Sequence, residues 1–353
     1  MREVRGKTLS AYTTLRLGGP ANQLIEIDNA DESVATIREA DANNLPILLL
    51  AGGSNVVIRD TGFSGTAVVL RSAGVRVTHR DDTVELTVAA GHTWDDVVAR
   101  AVAEGWSGIE CLSGIPGSAG ATPIQNVGAY GQEIAETITA VRVYDRHTRE
   151  ERSLGPAECG FAYRASIFKG VDRWTVLEVT YRLRPSRLSG PIRYAELARA
   201  LGVELGEAAP LDQVRQAVLA LRRRKGMVLD PGDPDTCSVG SFFMNPVLDP
   251  SQHRVLLERC ARHLGSEPRP MSWPAAGDKV KVSAAWLIER AGFAKGHGRD
   301  GVAISSKHTL ALTNQGGGTT KALLELAREI RDGVHEKFAV TLRPEPVLVD
   351  VAL

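Results

Sequence analysis

Short apolar runs separated by turns dominate the first half of the chain. Runs of this length, rich in Val, Ile and Leu, predict β-strands. The predicted strands are residues 22–28, 46–52, 65–72, 84–91, 138–145 and 174–183. Apolar residues three and four apart predict helices over residues 31–44 and 93–106, the second with Thr93 as its N-cap. This mixture predicts an α+β fold in which strands dominate.

The pattern becomes helical in the second half. Amphipathic spacing predicts helices over residues 210–226, 251–265, 282–292 and 319–338. We therefore place a boundary near residue 220, with a more helical module running to about residue 320. The last predicted strand, residues 341–353, could return to either module.

Charge and cysteine content argue against several classes of protein. Lysine plus arginine and aspartate plus glutamate number 42 each among 353 residues, so a chain-wide attraction to nucleic acid or to an anionic membrane is not expected. The four cysteines are widely spaced without a CxxC pair, which is typical of reduced cytosolic thiols. The N-terminus has no apolar leader, and the most apolar run, residues 45–53, is too short to span a bilayer. We expect a cytoplasmic protein.

Two loops rich in glycine and small polar residues follow apolar runs, at residues 51–55 and 112–134. Small residues let backbone N–H groups approach an anion closely, so both loops are candidates for binding phosphate. Tight turns are the alternative explanation for these glycines. The chain has neither a GxGxxG fingerprint nor a P-loop, so a bound nucleotide would be held by another fold.

Ser241 is a polar residue in an unusual place. It lies in "SVGSFFMNP", between a glycine and two phenylalanines, after the turn-forming stretch "DPGDPDT". This order predicts a short strand that brings the serine to a rim. The hydroxyl there is either bonded to backbone or used in chemistry, and the pattern leaves both possibilities open.

Five motifs resemble the UDP-N-acetylenolpyruvoylglucosamine reductase family: "AGGSN", "GIPGSAGATPIQNVGAYG", "YRASIFK", "SVGSFFMNP" and "RPEPVLV", in this order. The resemblance covers nearly the whole chain. It implies an α+β fold with an FAD-binding region of vanillyl-alcohol oxidase (PCMH) type in two subdomains, plus a separate α+β substrate-binding domain. On this basis residues 1–70, joined by the C-terminal strand 340–353, form the first subdomain, residues 71–220 the second, and residues 221–339 the substrate-binding domain.

The resemblance also implies a reaction and its cofactors. Family members reduce the enolpyruvyl ether of UDP-N-acetylglucosamine enolpyruvate to UDP-N-acetylmuramate in peptidoglycan synthesis, using non-covalent FAD and NADPH. By the same resemblance both glycine loops contact the flavin. The implied contacts are Gly52, Gly53, Ser54, Asn55, Gly117, Ser118, Ala119, Thr122, Asn126 and Gly128.

Three residues of the motifs suit the chemistry of that reaction. Hydride addition to the double bond leaves negative charge beside the substrate carboxylate. Arg164 would bind the carboxylate with its planar guanidinium, and a protonated Glu345 would donate a hydrogen bond to the enolate oxygen. Ser241 would then protonate the carbanion as a general acid.

Substrate contacts follow from the resemblance as well. Tyr194, in "SGPIRYAEL", is similar to the tyrosine of a loop that only the longer version of the family contains. Lys225 and Asn245 are expected to contact the substrate pyrophosphate or the nicotinamide nucleotide. Arg290 is the fourth expected contact, although some relatives have glutamine there.

Two other functions remain open alternatives. One is a different FAD-linked oxidoreductase of the same superfamily, in which Cys111, close to the second glycine loop, could carry FAD covalently. The other is a non-catalytic module that binds a nucleotide sugar. The basic run 221–225 lacks the interleaved aromatic residues of a nucleic-acid site.

A metal protein is a third alternative. His253, Cys260 and His263 have helical spacings that share one face, but no fourth ligand is evident. We expect packing roles for them and no metal, and a structural role for His308. A monomer is expected.

Overall fold

The computed structural model describes residues 1–265 and 269–353. The chain divides into two compact units, each built from three segments. Unit 1 contains residues 1–8, 20–53 and 63–228, and unit 2 contains residues 9–19, 54–62 and 229–353. The assignment of three domains from the sequence stays a prediction.

The first sheet of unit 1 is mainly parallel. Its strand order is Arg2–Glu3, Ala21–Ile27, Phe63–Leu70 and Ile47–Leu50. The last three strands run parallel, and helix α1, Ala30–Ala42, forms the crossover that parallel pairing requires.

The second sheet of unit 1 is antiparallel. Its order is Glu150–Leu154, Ile138–Asp145, Trp174–Pro185, Val84–Ala89 and Val75–His79, with Trp106–Ser107 paired to the long strand Trp174–Pro185. Alternate residues of Val84–Ala89 are buried, as expected for a sheet with one face in the core.

Helices complete unit 1. Helix α2, Trp94–Glu104, buries one apolar side in the core of the second sheet. Thr93 occupies its N-cap position as predicted, but the side chain makes no capping bond. Helices α3, Ala195–Leu201, and α4, Leu211–Arg224, share a separate apolar cluster that includes Cys111.

The described residues of unit 2 form three small sheets. One has the order Ser238–Ser241, Ala311–Asn314, Val302–Ile304 and Gly298–Arg299. The next has the order Val247–Leu248, Val280–Val282 and Ser272–Pro274, and the third pairs Val347–Val349 in parallel with Val56–Ile58.

Three helices pack around these sheets in unit 2. They are α5, Pro250–Leu264, α6, Ala284–Ala291, and α7, Thr320–Phe338. Helix α7 buries Leu323, Leu326, Ile330 and Val334 in the core of the unit, which is the spacing of an amphipathic helix face. Short 3₁₀ turns in the two units are Leu9–Tyr12, Glu110–Leu112, Ala119–Ala121, Ile134–Glu136 and Pro234–Thr236.

The predicted α+β class is confirmed, and every predicted helix and strand of the first 338 residues is present, with the predicted ends for Ile138–Asp145 and shifted ends for the others. The final strand is much shorter than predicted and covers only Val347–Val349. Pro344 and Pro346 lack the N–H that ladder pairing needs. Helix α3 and several short strands, among them Val75–His79 and Ala311–Asn314, were not predicted.

All four cysteines are free and buried. Their reduced state stays a prediction. No helix in the described ranges is both long and apolar enough to cross a bilayer.

Candidate active site

The two glycine loops meet in unit 1. Gly52 follows the strand Ile47–Leu50, and a Cβ built on it would lie 2.5 Å from Gly117 Cα. Gly53 and Gly117 have positive φ angles of 58° and 117°, which glycine adopts without strain. The sequence motifs are therefore in backbone contact, although 64 residues separate them, counted from Gly53 to Gly117.

The second loop is held tightly against the core. A Cβ at Gly120 would lie 2.5 Å from Ala90 Cβ, and Gly120 N donates to Ala90 O at 2.9 Å. Thr122 Oγ1 lies 2.8 Å from both Ala119 O and Tyr181 Oη. Burial raises the pKa of Tyr181, so this phenol keeps its proton in the network.

Ser118 tests whether these loops fit a phosphate-bearing cofactor. Its side chain is buried, and Oγ has no hydrogen-bond partner in residues 1–265 and 269–353. A buried hydroxyl without a partner costs free energy, and a ligand oxygen would remove that cost. Close backbone packing and an unsatisfied hydroxyl in one loop therefore fit the diphosphate of FAD.

Asn126 braces the end of the second loop. It adopts φ 45°, and its side chain donates to Glu133 Oε2 at 2.8 Å and accepts from Ala135 N at 3.1 Å. The hairpin that follows, Gly128–Ala129 with Gln132–Glu133, turns through Tyr130 and Gly131, both at positive φ. Such angles are typical of a tight two-residue hairpin.

Arg164 binds this braced loop. Its Nη2 donates to Gly128 O at 2.8 Å, and Nη1 donates to Asn126 O at 3.4 Å. Arg164 itself has φ 53°, an uncommon angle for a residue with a side chain. The structure thus brings together three predicted residues, Asn126, Gly128 and Arg164.

Tyr130 joins two of the predicted substrate residues. Its ring meets that of Tyr194 edge to face at 5.4 Å, and Lys225 Nζ lies 5.8 Å from its centre. Lys225 also pairs with Glu196 at 2.7 Å. Burial raises the pKa of Tyr130 to about 12, so the phenol can donate a hydrogen bond at neutral pH. Tyr130 was part of a predicted motif, but the sequence did not single it out.

Ser241 ends the strand Ser238–Ser241 in unit 2. The preceding Gly240 has φ 75°, and the pairing with Ala311–Asn314 shifts register across it, as in a β-bulge that redirects a side chain. Phe242 and Phe243 are fully buried. The Ser241 Oγ lies 3.5 Å from His308 Nε2.

Glu345 is attached to the same segment of unit 2. Its N–H donates to Phe242 O at 2.8 Å, and Met244 N donates to Arg343 O at 3.1 Å. Val347 N donates to Asn55 O at 3.0 Å. The motifs containing Ser241 and Glu345 are therefore neighbours, and the predicted flavin residues Ser54 and Asn55 belong to unit 2 as well.

Asn245 and Arg290 lie at opposite ends of α6. Asn245 Oδ1 accepts from Ala284 N at 2.9 Å at the start of the helix. The Arg290 guanidinium lies 6.0 Å from the Trp286 ring centre, and its carbonyl accepts from Lys337 Nζ at 2.6 Å. Both residues have local structural contacts besides the predicted substrate contacts.

The structure does not support the two alternatives that depend on cysteine, covalent FAD at Cys111 and a metal site that includes Cys260. Cys111 is buried among apolar side chains, and burial raises the pKa of its thiol, so it is unsuited to carry FAD. Cys260 is in the core of unit 2 whereas His263 is exposed. Within the described residues, no group of three or more His, Cys, Asp or Glu side chains could hold a metal ion.

One functional candidate was missed. The sequence suggested only a structural role for His308, because 67 residues separate it from Ser241. No local pattern reveals that the strand Ala311–Asn314 brings the two side chains together.

Comparisons with known proteins cover both halves of the chain. Residues 21–150 match the FAD binding domain model, and residues 233–349 match the model for the C-terminal domain of UDP-N-acetylenolpyruvoylglucosamine reductase. The predicted FAD-binding region is therefore confirmed.

Full-length relatives and a solved structure agree. The UDP-N-acetylenolpyruvoylglucosamine reductase of Salinispora arenicola is 60% identical over 98% of this chain and 95% of its own length, and that of Thermobifida fusca is 56% identical over 99% and 98%. The crystal structure of UDP-N-acetylenolpyruvylglucosamine reductase from Thermus caldophilus matches with a TM-score of 0.66 and 25% identity over 99% of both chains. The chain belongs to the UDP-N-acetylenolpyruvoylglucosamine reductase family.

Proposed function

We propose that the protein reduces the enolpyruvyl ether of UDP-N-acetylglucosamine enolpyruvate to the lactyl ether of UDP-N-acetylmuramate, with FAD as cofactor and NADPH as reductant. This step belongs to peptidoglycan synthesis. The observation that carries the proposal is identity of 56% and 60% to reductases along nearly the entire chain. The buried, unpartnered Ser118 hydroxyl in a glycine loop supports the cofactor.

The residues proposed to hold FAD come from the two glycine motifs. When bound, FAD accepts hydride from NADPH and supplies it to the terminal carbon of the enolpyruvyl group. Ser118 would donate to a diphosphate oxygen, and the backbone at Gly52 and Gly117 would allow close approach. The remaining proposed contacts are Gly53, Ser54, Asn55, Ala119, Thr122, Asn126 and Gly128.

Arg164 and Glu345 are proposed to stabilise the negative charge that develops on the substrate. Two guanidinium N–H groups of Arg164 donate to loop carbonyls, so the planar group is held in one orientation, and its geometry suits a carboxylate. Glu345 is half-buried and fixed through its backbone to Phe242. In its protonated form it would donate to the enolate oxygen.

Ser241 is proposed to protonate the carbon next to the carboxylate. A carbanion is strongly basic, so a hydroxyl is acidic enough to serve as general acid. The buried rings of Phe242 and Phe243 keep water from the polypeptide immediately after the serine. The bulge at Gly240 sets the direction of the side chain.

The substrate diphosphate is proposed to bind Lys225, with Tyr194, Asn245 and Arg290 as further contacts. Lys225 pairs with Glu196 through one of three ammonium donors. A diphosphate carries more negative charge than one carboxylate, so it competes well for this lysine. Tyr130 lies between Lys225 and Tyr194 and retains its proton.

The variant Ser241→Ala tests the proposed chemistry. It is expected to bind FAD and to be reduced by NADPH like the wild type, while turnover of the enolpyruvyl substrate falls by about 10² to 10⁴, the usual contribution of a positioned acid. Ser272→Ala, an exposed strand serine in the same unit, is the matched control and should retain wild-type turnover. Normal turnover of Ser241→Ala would refute the assigned proton donor.

We also propose a cytoplasmic monomer. NADPH and a nucleotide sugar are the metabolites this chemistry needs, and both are available in the cytoplasm. Light scattering across a concentration series should give the 37.9 kDa mass of one chain. A larger mass would contradict the proposed monomer and indicate an oligomer.

A further inference from the structure

His308 is a titratable side chain beside Ser241 in unit 2. It lies in the turn between the strands Val302–Ile304 and Ala311–Asn314, and its Nε2 is 3.5 Å from Ser241 Oγ. That distance is at the long end for a hydrogen bond. Catalytic hydrogen bonds are often long before substrate binds and shorten in the complex.

The turn that carries His308 is fixed on both sides. Ser305 Oγ accepts from Lys307 N at 3.0 Å and from His308 N at 3.1 Å. Leu310 O accepts from Phe242 N at 2.7 Å, so the turn is bonded directly to the residue after Ser241. These bonds hold the backbone of His308 in place next to the segment that contains Ser241.

Charged side chains around the turn have partners of their own. Asp235 accepts from Ser306 N at 2.9 Å and from Ser306 Oγ at 2.6 Å, and Asp233 pairs with Lys307 at 2.5 Å. From α6, Glu289 accepts from Thr309 Oγ1 at 2.5 Å. Glu345 belongs to the segment bonded to Phe242 O. The carboxylates of Asp233, Asp235 and Glu289 are therefore held by groups of the turn itself.

The direction of the Ser241 hydroxyl depends on the charge of this ring. A neutral imidazole with its proton on Nδ1 accepts at Nε2, and the serine proton then points toward the ring. An imidazolium donates from Nε2 to Ser241 Oγ, which leaves the serine proton free to point elsewhere. A neutral ring with its proton on Nε2 would also donate to Oγ, but giving that proton to the serine would leave an imidazolate. Only the imidazolium can both leave the serine proton free for substrate and then replace it.

We propose that His308 is the positioning residue that orients the Ser241 hydroxyl and restores its proton during turnover. The proposal rests on the proposed role of Ser241 as proton donor. The overall reaction consumes one proton for each NADPH oxidised, and His308 provides its route from solvent to the serine.

The proton transfers balance as follows. The Ser241 O–H bond breaks as the new C–H bond forms at the substrate carbanion, which leaves negative charge on Oγ. The His308 Nε2–H bond breaks and the Ser241 O–H bond is restored, which leaves a neutral imidazole. Solvent then returns a proton to His308, and no oxidant or reductant beyond NADPH is needed.

This arrangement predicts how one half-reaction depends on pH. Protonated His308 is the active form, so the rate at which substrate reoxidises the reduced enzyme should fall as pH rises through the range of about 5 to 8 in which histidine titrates. Reduction by NADPH uses neither Ser241 nor His308 and should lack this dependence.

Anaerobic stopped-flow measurements on the holoenzyme test the proposal. Wild-type enzyme, His308→Gln and Ser241→Ala are reduced with NADPH and mixed with UDP-N-acetylglucosamine enolpyruvate, and the return of flavin absorbance is followed across that pH range. Glutamine donates hydrogen bonds but does not titrate. His308→Gln should be reoxidised about 10²-fold more slowly at the acidic end, the lower limit for a positioned proton donor, and should lose the part of the pH dependence that the wild type owes to His308.

His297→Gln is the matched control. His297 is in the same unit, and its Nε2 lies 3.0 Å from Glu329 Oε1. This variant should keep the wild-type rate and pH profile. If His308→Gln behaves like the wild type while Ser241→Ala is impaired, the proposed role of His308 is wrong and that of Ser241 stands. If Ser241→Ala reoxidises at the normal rate, the assignment of Ser241 as proton donor is wrong.

An NMR titration of the wild type is a second readout that needs no His308 variant to fold. The His308 ring Cε1–H signal should titrate over the same pH interval in which the reoxidation rate falls, and it should shift in Ser241→Ala. A rate that falls while this ring signal stays constant would overturn the proposal.

Discussion

Gly52→Ala is the substitution that tests most sharply the proposal that the two glycine loops hold FAD. The added Cβ would lie 2.5 Å from Gly117 Cα and 3.0 Å from Gly117 C. Both are backbone atoms, so no side chain can rotate away. Ordinary contact begins at 3.4 Å, so the loops must separate by about 0.9 Å, while overpacking of this kind typically costs about 1 to 3 kcal/mol.

That separation should weaken FAD binding more than it harms the fold. The proposed cradle around the cofactor depends on contact between the loops, whereas the strand Ile47–Leu50 before the first loop is held in its sheet by pairing with Phe63–Leu70. A loss of about 1 to 3 kcal/mol in binding free energy corresponds to roughly 5- to 150-fold weaker FAD binding, since 1.4 kcal/mol is tenfold.

Titration of apoprotein with FAD, followed by flavin fluorescence, measures this change. Gly190→Ala is the matched control. Gly190 is in the same unit as Gly52, and among the described residues no heavy atom beyond its chain neighbours lies within 4 Å of a Cβ built on it. The control should bind FAD like the wild type. Wild-type FAD affinity and thermal stability in Gly52→Ala would show that the contact between the loops plays no part in holding the cofactor.

Three further predictions concern single side chains. Lys225→Met should raise KM for the enolpyruvyl substrate by roughly tenfold or more, as expected for a lost charge-assisted contact, with FAD retained; an unchanged KM would exclude this lysine as a substrate contact. Hydrogen bonds from Arg173, with backbone donors, lower the pKa of Asp145 to about 2, so this pair contributes stability above about pH 4 that is lost as pH falls toward 2. Arg173→Leu should flatten the acid side of the plot of unfolding free energy against pH, and an unchanged acid side would contradict the assignment. All four thiols are free and buried, so a thiol reagent should react slowly with native protein and with four groups after unfolding; rapid reaction of native Cys111 would contradict its burial.

Within the described residues, local patterns predicted six of the seven α-helices and every strand of six or more residues, but missed many shorter strands. Apolar alternation located the strand Val84–Ala89, and helical spacing located α7, because both elements bury one face in a core. The short strand Val347–Val349 was overestimated because the apolar pattern of residues 341–353 outweighed the prolines at 344 and 346.

Residues of the candidate site could be predicted from the sequence only where they belong to a recognisable motif. Ser241 and Glu345 were identified separately, and the structure adds that their segments are bonded through Phe242 and Glu345 N. Contacts such as Lys225 with Glu196 depend on how α3 and α4 pack, which no local pattern encodes. The proximity of His308 to Ser241 arises in the same way, from the pairing of Ser238–Ser241 with Ala311–Asn314.

An anaerobic absorbance spectrum is the most direct test of the central claim. Purified protein is given NADPH and then UDP-N-acetylglucosamine enolpyruvate. We expect the yellow flavin band to bleach with NADPH and to return when substrate is added. A colourless protein that does not take up FAD, or a bleached flavin that substrate fails to reoxidise, would contradict the account.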